Sequence, residues 1–167
     1  MTLPDRPVWR GATDAEEVSL LGGLYRYRAV GADTANAYTV FEVESEAGFA
    51  APVHSHDHEA EGFYVLDGEV TIFIGDKAVT MSPGGFVLAP PHAPHAFRFD
   101  SPSAKLLLII TPGDAGHEAL FREMGEPASE ERRGAVVAPD FGKLAEIAAR
   151  HGTTMIGPPP APTAGGR

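Results

Sequence analysis

Residues 54–74 read HSHDHEAEGFYVLDGEVTIFI, and the fold turns on how they are read. From Glu61 to Ile74 apolar and polar side chains alternate on either side of Asp67-Gly68. That is the pattern of two half-buried strands joined by a tight turn. Asp-Gly suits a type I′ turn, in which both central residues take positive φ. The expected register pairs Val65 with Val70, Phe63 with Ile72 and Glu61 with Ile74, all on one face. Tyr64, Leu66, Glu69 and Thr71 make the other, more polar face. Glu61 therefore points inward among Phe63, Val65, Ile72 and Ile74. A lone carboxylate there is costly unless it is paired or holds a metal.

The preceding histidines supply the partner. His54 and His56 are two apart, so on a strand both project to one face. Imidazole nitrogens and a carboxylate converging inside a barrel can bind a divalent transition metal. His58 continues the alternation, and Asp57 or Glu59 could stand in for Glu61. A second group, PPHAPHAF, begins at Pro90. His95 opens a strand on the parity of Phe97 and Phe99 and is the inward candidate. His92 lies in the proline-stiffened turn, where it would at most support the ligands from behind.

Outward from this stretch the chain keeps the same character. Strands are expected at 24–30, 37–44, 52–56, 61–66, 69–74, 78–81, 86–89, 95–99 and 105–111, separated by Gly, Pro and Asp turns. Such spacing reads as a barrel or sandwich. The 19 glycines and 15 prolines among 167 residues fit a turn-dense chain. Residues 1–20 are expected to be an arm. Helices come late, one capped by Asp114 and carrying Leu120, Phe121 and Met124. A second is capped by Asp140, with Phe141, Leu144, Ile147 and Ala148 on one stripe. The tail 157–167 is too rich in Pro and Gly to build a core.

Composition excludes several classes. There is no cysteine, hence no disulfide framework, thiolate metal site or cysteine nucleophile. The net charge of −10 argues against a nucleic-acid partner. No apolar run approaches a membrane span and the first residues carry no signal-peptide pattern, so a soluble cytoplasmic protein is expected.

Together these residues resemble the cupin superfamily. Gly48, His54, His56, Glu61 and Gly68 fit every position of its first motif, G-x5-H-x-H-x(3,4)-E-x6-G. Pro83-Gly84-Gly85 and His95 fit the second at its longer spacing, with Phe99 where the motif usually has Asn. The runs AEGFYVLDGEVTIFIGD, PGGFVLAPPHAPHAF and LLLIITPGD, with the C-terminal KLAEIAARHG, are similar to small single-domain quercetin-dioxygenase-like cupins.

The resemblance implies an all-β double-stranded β-helix, a jelly-roll barrel at 21–112, with short C-terminal helices at 113–156, in a homodimer. It implies His54, His56, Glu61 and His95 as ligands of one divalent transition metal per chain (Fe, Mn, Ni, Co, Cu or Zn). Glu61 would also act as the catalytic proton acceptor. The expected substrate pocket is Phe63, Val65, Ile72, Ile74, Phe86, Phe97 and Phe99. The implied activity is a dioxygenase using dioxygen on a flavonol-like or other enolisable aromatic small molecule. A metal-dependent isomerase, cyclase or hydrolase, or a small-molecule-binding cupin without catalysis, are the alternatives.

Overall fold

The computed structural model describes residues 7–113, 115–128 and 140–161. Its strands are β1 (Glu17–Leu20), β2 (Gly23–Ala29), β3 (Thr39–Glu46), β4 (Val53–His56), β5 (Ala60–Asp67) and β6 (Val70–Ile74). They continue as β7 (Lys77–Met81), β8 (Phe86–Ala89), β9 (His95–Phe99), β10 (Ser103–Thr111), β11 (Glu126–Pro127) and β12 (Thr153–Gly157). The helices are α1 (Gly31–Thr34), α2 (His117–Met124) and α3 (Phe141–Arg150). Two antiparallel sheets form, in the orders β11-β1-β2-β3-β10-β5-β8 and β12-β4-β9-β6-β7. This is the expected all-β jelly roll with short C-terminal helices.

Period-two alternation explains which residues fill the space between the sheets. Thr39, Phe41 and Val43 of β3 are buried, and so are Leu106, Leu108 and Ile110 of β10. Phe63 and Val65 face Val70, Ile72, Phe97 and Phe99 from the opposite sheet within the same core. Each such side chain contributes roughly 1.5–3 kcal/mol by leaving water.

The Asp67-Gly68 turn differs from the expected hairpin. β5 is already paired on one side with β10 and on the other with β8. A strand has only two hydrogen-bonding edges, so β6 crosses to the facing sheet and pairs with β9 and β7. Gly68 takes φ +72° while Asp67 stays outside the positive-φ set, so the turn is not type I′. The inward set survives the change of partner, because each strand keeps its own alternation: Glu61, Phe63, Val65, Val70 and Ile72 are buried and Ile74 is partly so.

Three strands fall outside the expected barrel limits, among them the two-residue β11, which pairs with β1. β1 lies in the expected arm and pairs with β2. β12 lies in the expected helical extension and pairs with β4, setting Thr153 opposite His56. The chain after α3 is thus the neighbour of the histidine strand. α3 begins as expected: the Asp140 carboxylate accepts from the backbone N–H groups of Gly142 and Lys143 at 3.0 and 3.2 Å. Leu144, Ile147 and Ala148 are buried, whereas Phe141 is 48% exposed. The Asp114 cap lies outside the described residues.

Candidate metal centre

The centre is assembled from both sheets. β4 carries His54 and His56 on one face, and His54 sits opposite His95 of β9. Glu61 comes from β5 in the other sheet. Their donor atoms lie within 4.8 Å of one another. Glu61 Oε2 is the focus: His95 Nε2 is 2.9 Å away, His56 Nε2 3.2 Å and His54 Nε2 3.8 Å. Glu61, His56 and His95 are no more than 2% exposed.

The other ring nitrogens determine which tautomers are present. His54 Nδ1 is 2.7 Å from Pro52 O, and His95 Nδ1 is 2.8 Å from Ala93 O. A carbonyl only accepts, so these Nδ1 atoms carry the hydrogen and donate it. In the neutral ring Nε2 is then a bare lone pair. Two such lone pairs face an ionised carboxylate, an arrangement that calls for a cation among them. The donor set therefore fits a divalent metal held by three imidazoles and one carboxylate.

Electrostatics favour the same protonation states. Burial pushes the His54 pKa down, outweighing the pull of the nearby Glu61 carboxylate. Burial, reinforced by the nearby His117 charge, pushes His56 down to about 3. Burial alone would raise Glu61, but its interactions with the rings of His54, His56 and His95, and the charge of His117, together hold it well below the ordinary carboxylate value. Neutral imidazoles and an ionised carboxylate are the forms a metal requires.

A cavity of about 40 Å³ opens beside the cluster, room for a few water molecules. Much of its apolar wall is Leu20, Leu21, Leu120, Phe121, Met124 and Met155, from β1 and the turn after it, α2 and β12. Of the expected pocket residues only Phe97 lines it. Phe63, Val65, Ile72 and Phe99 are at most 1% exposed and pack in the core below, with Ile74 against that core. Phe86 departs furthest, at 51% exposure on the outer face. β8 alternates from the exposed Phe86 to the buried Ala89, which sets Phe86 beside Tyr64 and over the Cα of Gly62. The cavity lining differs from the expected pocket residues because the sequence did not show which elements cover the barrel mouth.

The remaining histidines and acids divide cleanly. His58 and Asp57 are exposed. His92 is exposed too, at φ +66°, and its backbone N–H donates to His56 O at 2.8 Å. Its side chain is not brought to the cluster. Two buried residues were missed as a pair. Glu59, weighed only as a substitute for Glu61, is 2% exposed and holds His117 of α2 at 2.7 Å. His117 heads the apolar stripe of Leu120, Phe121 and Met124, three, four and seven residues on. That helical position was the available sign that it faces inward. Thr153 Oγ1, 2.9 Å from His56 Nδ1, left no sign in the sequence.

This architecture and donor set define a cupin domain, and residues 41–111 match the cupin domain family. Within the cupins the chain is related to quercetin 2,3-dioxygenases. It is 31% identical to that of Bacillus subtilis (strain 168) over 127 residues, 75% of this chain and 37% of the enzyme. To that of Aspergillus japonicus it is 26% identical over 130 residues, 74% of this chain and again 37% of the enzyme. The chain thus spans little over a third of the length of these curated relatives. An RmlC-like cupin from Shewanella frigidimarina superimposes with a TM-score of 0.57, at 16% identity over 64% of this chain and 92% of the other, and shares the fold. No helix among the described residues is long and apolar enough to cross a membrane.

Proposed function

We propose that this chain is a metal-dependent dioxygenase. It would bind one divalent transition metal through His54, His56, Glu61 and His95 and act on a flavonol-like or other enolisable aromatic small molecule. One observation carries the reading: the bare Nε2 atoms of His54 and His95 turned onto the buried Glu61 carboxylate, beside an otherwise apolar cavity. When bound, the metal supplies Lewis acidity that lowers the pKa of a substrate hydroxyl. Glu61 stands nearest that hydroxyl and takes its proton. The wall of Leu20, Leu120, Phe121 and Met155 offers a flat apolar body its contacts, and must widen from the present volume of about 40 Å³ to admit it.

The relatedness to quercetin dioxygenases favours oxygen chemistry over isomerase, cyclase, hydrolase or plain binding. The reading includes a cytoplasmic homodimer. The test is oxygen uptake with a flavonol panel after reconstitution with Fe, Mn, Ni or Co. Uptake in at least one metal form is expected; none in any form overturns the oxygenase reading.

A further inference from the structure

We infer that His117 is a catalytic residue that contacts the substrate, and that Glu59 positions it. The inference rests on the proposed flavonol-like substrate class. The Glu59 carboxylate grips His117 twice: Oε2 accepts from Nδ1 at 2.7 Å, and Oε1 accepts from the His117 backbone N–H at 3.2 Å. This clamp fixes the ring at the first residue of α2 and commits Nδ1. The ring is wedged against His56 and Phe121, with centroids 4.3 and 5.1 Å away. Nε2 is the atom left to work.

That atom lies 3.7 Å from Glu61 Oε2, the same carboxylate oxygen on which the three other histidines converge. His117 also lines the cavity. It does not, however, belong to the ligand cluster of His54 and His95. Its mutually close group is His56 and Glu59. Its Nε2 reaches the Glu61 oxygen about as closely as His54 Nε2 does, from a ring that also lines the cavity. A substrate oxygen seated at Glu61 comes within hydrogen-bond reach of His117 Nε2.

The geometry gives the substrate two neighbouring oxygens on one edge of an apolar body. One would sit at the metal ligands and Glu61, the other at His117. Of the remaining polar lining, Thr153 Oγ1 is engaged by His56, which leaves the Tyr25 hydroxyl as the other neutral donor on the wall. A 3-hydroxy-4-keto arrangement meets this requirement, and a compound with a single oxygen on that edge meets half of it.

The test is anaerobic binding of 3-hydroxyflavone and of flavone, which lacks the 3-hydroxyl, to metal-loaded wild type, His117→Leu, His117→Gln and Glu59→Gln. Metal content and thermal midpoint are measured alongside. The expected result is 10- to 100-fold weaker 3-hydroxyflavone binding in His117→Leu at unchanged metal content. Partial recovery is expected in His117→Gln and a smaller loss in Glu59→Gln, whose amide oxygen still accepts from Nδ1. Flavone, which keeps only the 4-keto oxygen, should bind weakly to wild type and more weakly still to His117→Leu. Unchanged 3-hydroxyflavone affinity in both His117 variants overturns the inference. So does loss of the metal in them, which would make His117 a ligand. Failure of wild type to bind 3-hydroxyflavone overturns it together with the substrate class. Binding without oxygen uptake removes only the oxygenase reading, because the binding measurement needs no turnover.

Discussion

His56 Nδ1 lies 2.9 Å from Thr153 Oγ1, joining the histidine strand β4 to β12, the last strand described. Thr153 is 1% exposed, so the contact is shielded from bulk solvent. Partners that orient a metal-binding imidazole typically alter metal affinity 10–100-fold when removed. Thr153→Val is expected to weaken metal binding within that range, and Thr153→Ser to restore most of it. Competition against a chelator of known strength measures both. Equal affinities in wild type and the valine variant would show that β12 serves the barrel alone.

Removing one donor should empty the centre. Purified protein is expected to hold close to one transition metal per chain, and His56→Ala to lose it, because two imidazoles and a carboxylate cannot hold the ion as tightly. Elemental analysis of both proteins decides the matter. Full occupancy in the variant would remove His56 from the ligand set.

Acid should act on this site from a defined side. Burial lowers His54, and lowers His56 to about 3, while an unfolded histidine keeps its ordinary value. Below about pH 6.5 the unfolded chain therefore binds protons that these folded imidazoles refuse. Stability is present above that pH and falls as pH drops, by up to about 1.4 kcal/mol per unit for each histidine. His117 is raised despite its burial, because Glu59 and Glu61 favour its charged form. Its contribution is complete below the unfolded value and lost only as pH rises, so it does not offset the acid loss. Thermal midpoints of the metal-free protein should decline from pH 7 to pH 5. The loaded protein should release its ion over the same interval. A flat profile would contradict neutral burial of His54 and His56.

Two phenylalanines should behave in opposite ways. Phe121 is 8% exposed, packs against Tyr25 and Phe41 at 4.8 and 4.9 Å, and lines the cavity. Phe121→Ala is expected to cost about 3–5 kcal/mol in denaturant unfolding and to weaken substrate binding. Phe86, half exposed on the outer sheet face, should tolerate alanine with under about 1 kcal/mol lost and activity intact. An activity loss in Phe86→Ala would return it to the pocket.

Gly68 marks where the chain leaves one sheet for the other. Its φ is +72°, and a Cβ there would run into Ser101 Oγ and the backbone of Ser103 and Ala104. Gly68→Ala is expected to destabilise by more than the ~1 kcal/mol of a simple left-handed strain, read from the shift in urea midpoint. A neutral result would mean the 101–104 segment yields freely.

Much of this molecule was legible in one dimension. Alternation along single strands settled which side chains point inward: Glu61, Phe63, Val65, Val70 and Ile72 are buried although their strand partners differ from the expected ones. Inwardness is a property of one strand's own pleat, so it survives rearrangement of the neighbours. The H-x-H spacing likewise put His54 and His56 on one face before any contact was known.

Pairing and covering were decided only in three dimensions. The edges of β5 are taken by β8 and β10, strands 19 or more residues away along the chain, which sends β6 to the opposite sheet. Much of the cavity wall comes from β1, α2 and β12, which local periodicity cannot assign to the barrel mouth. Glu59 and His117 are 58 residues apart, and His56 and Thr153 are 97 apart. Local sequence sets the direction of a side chain. What that side chain meets depends on which distant segments pack around it to bury their own apolar faces.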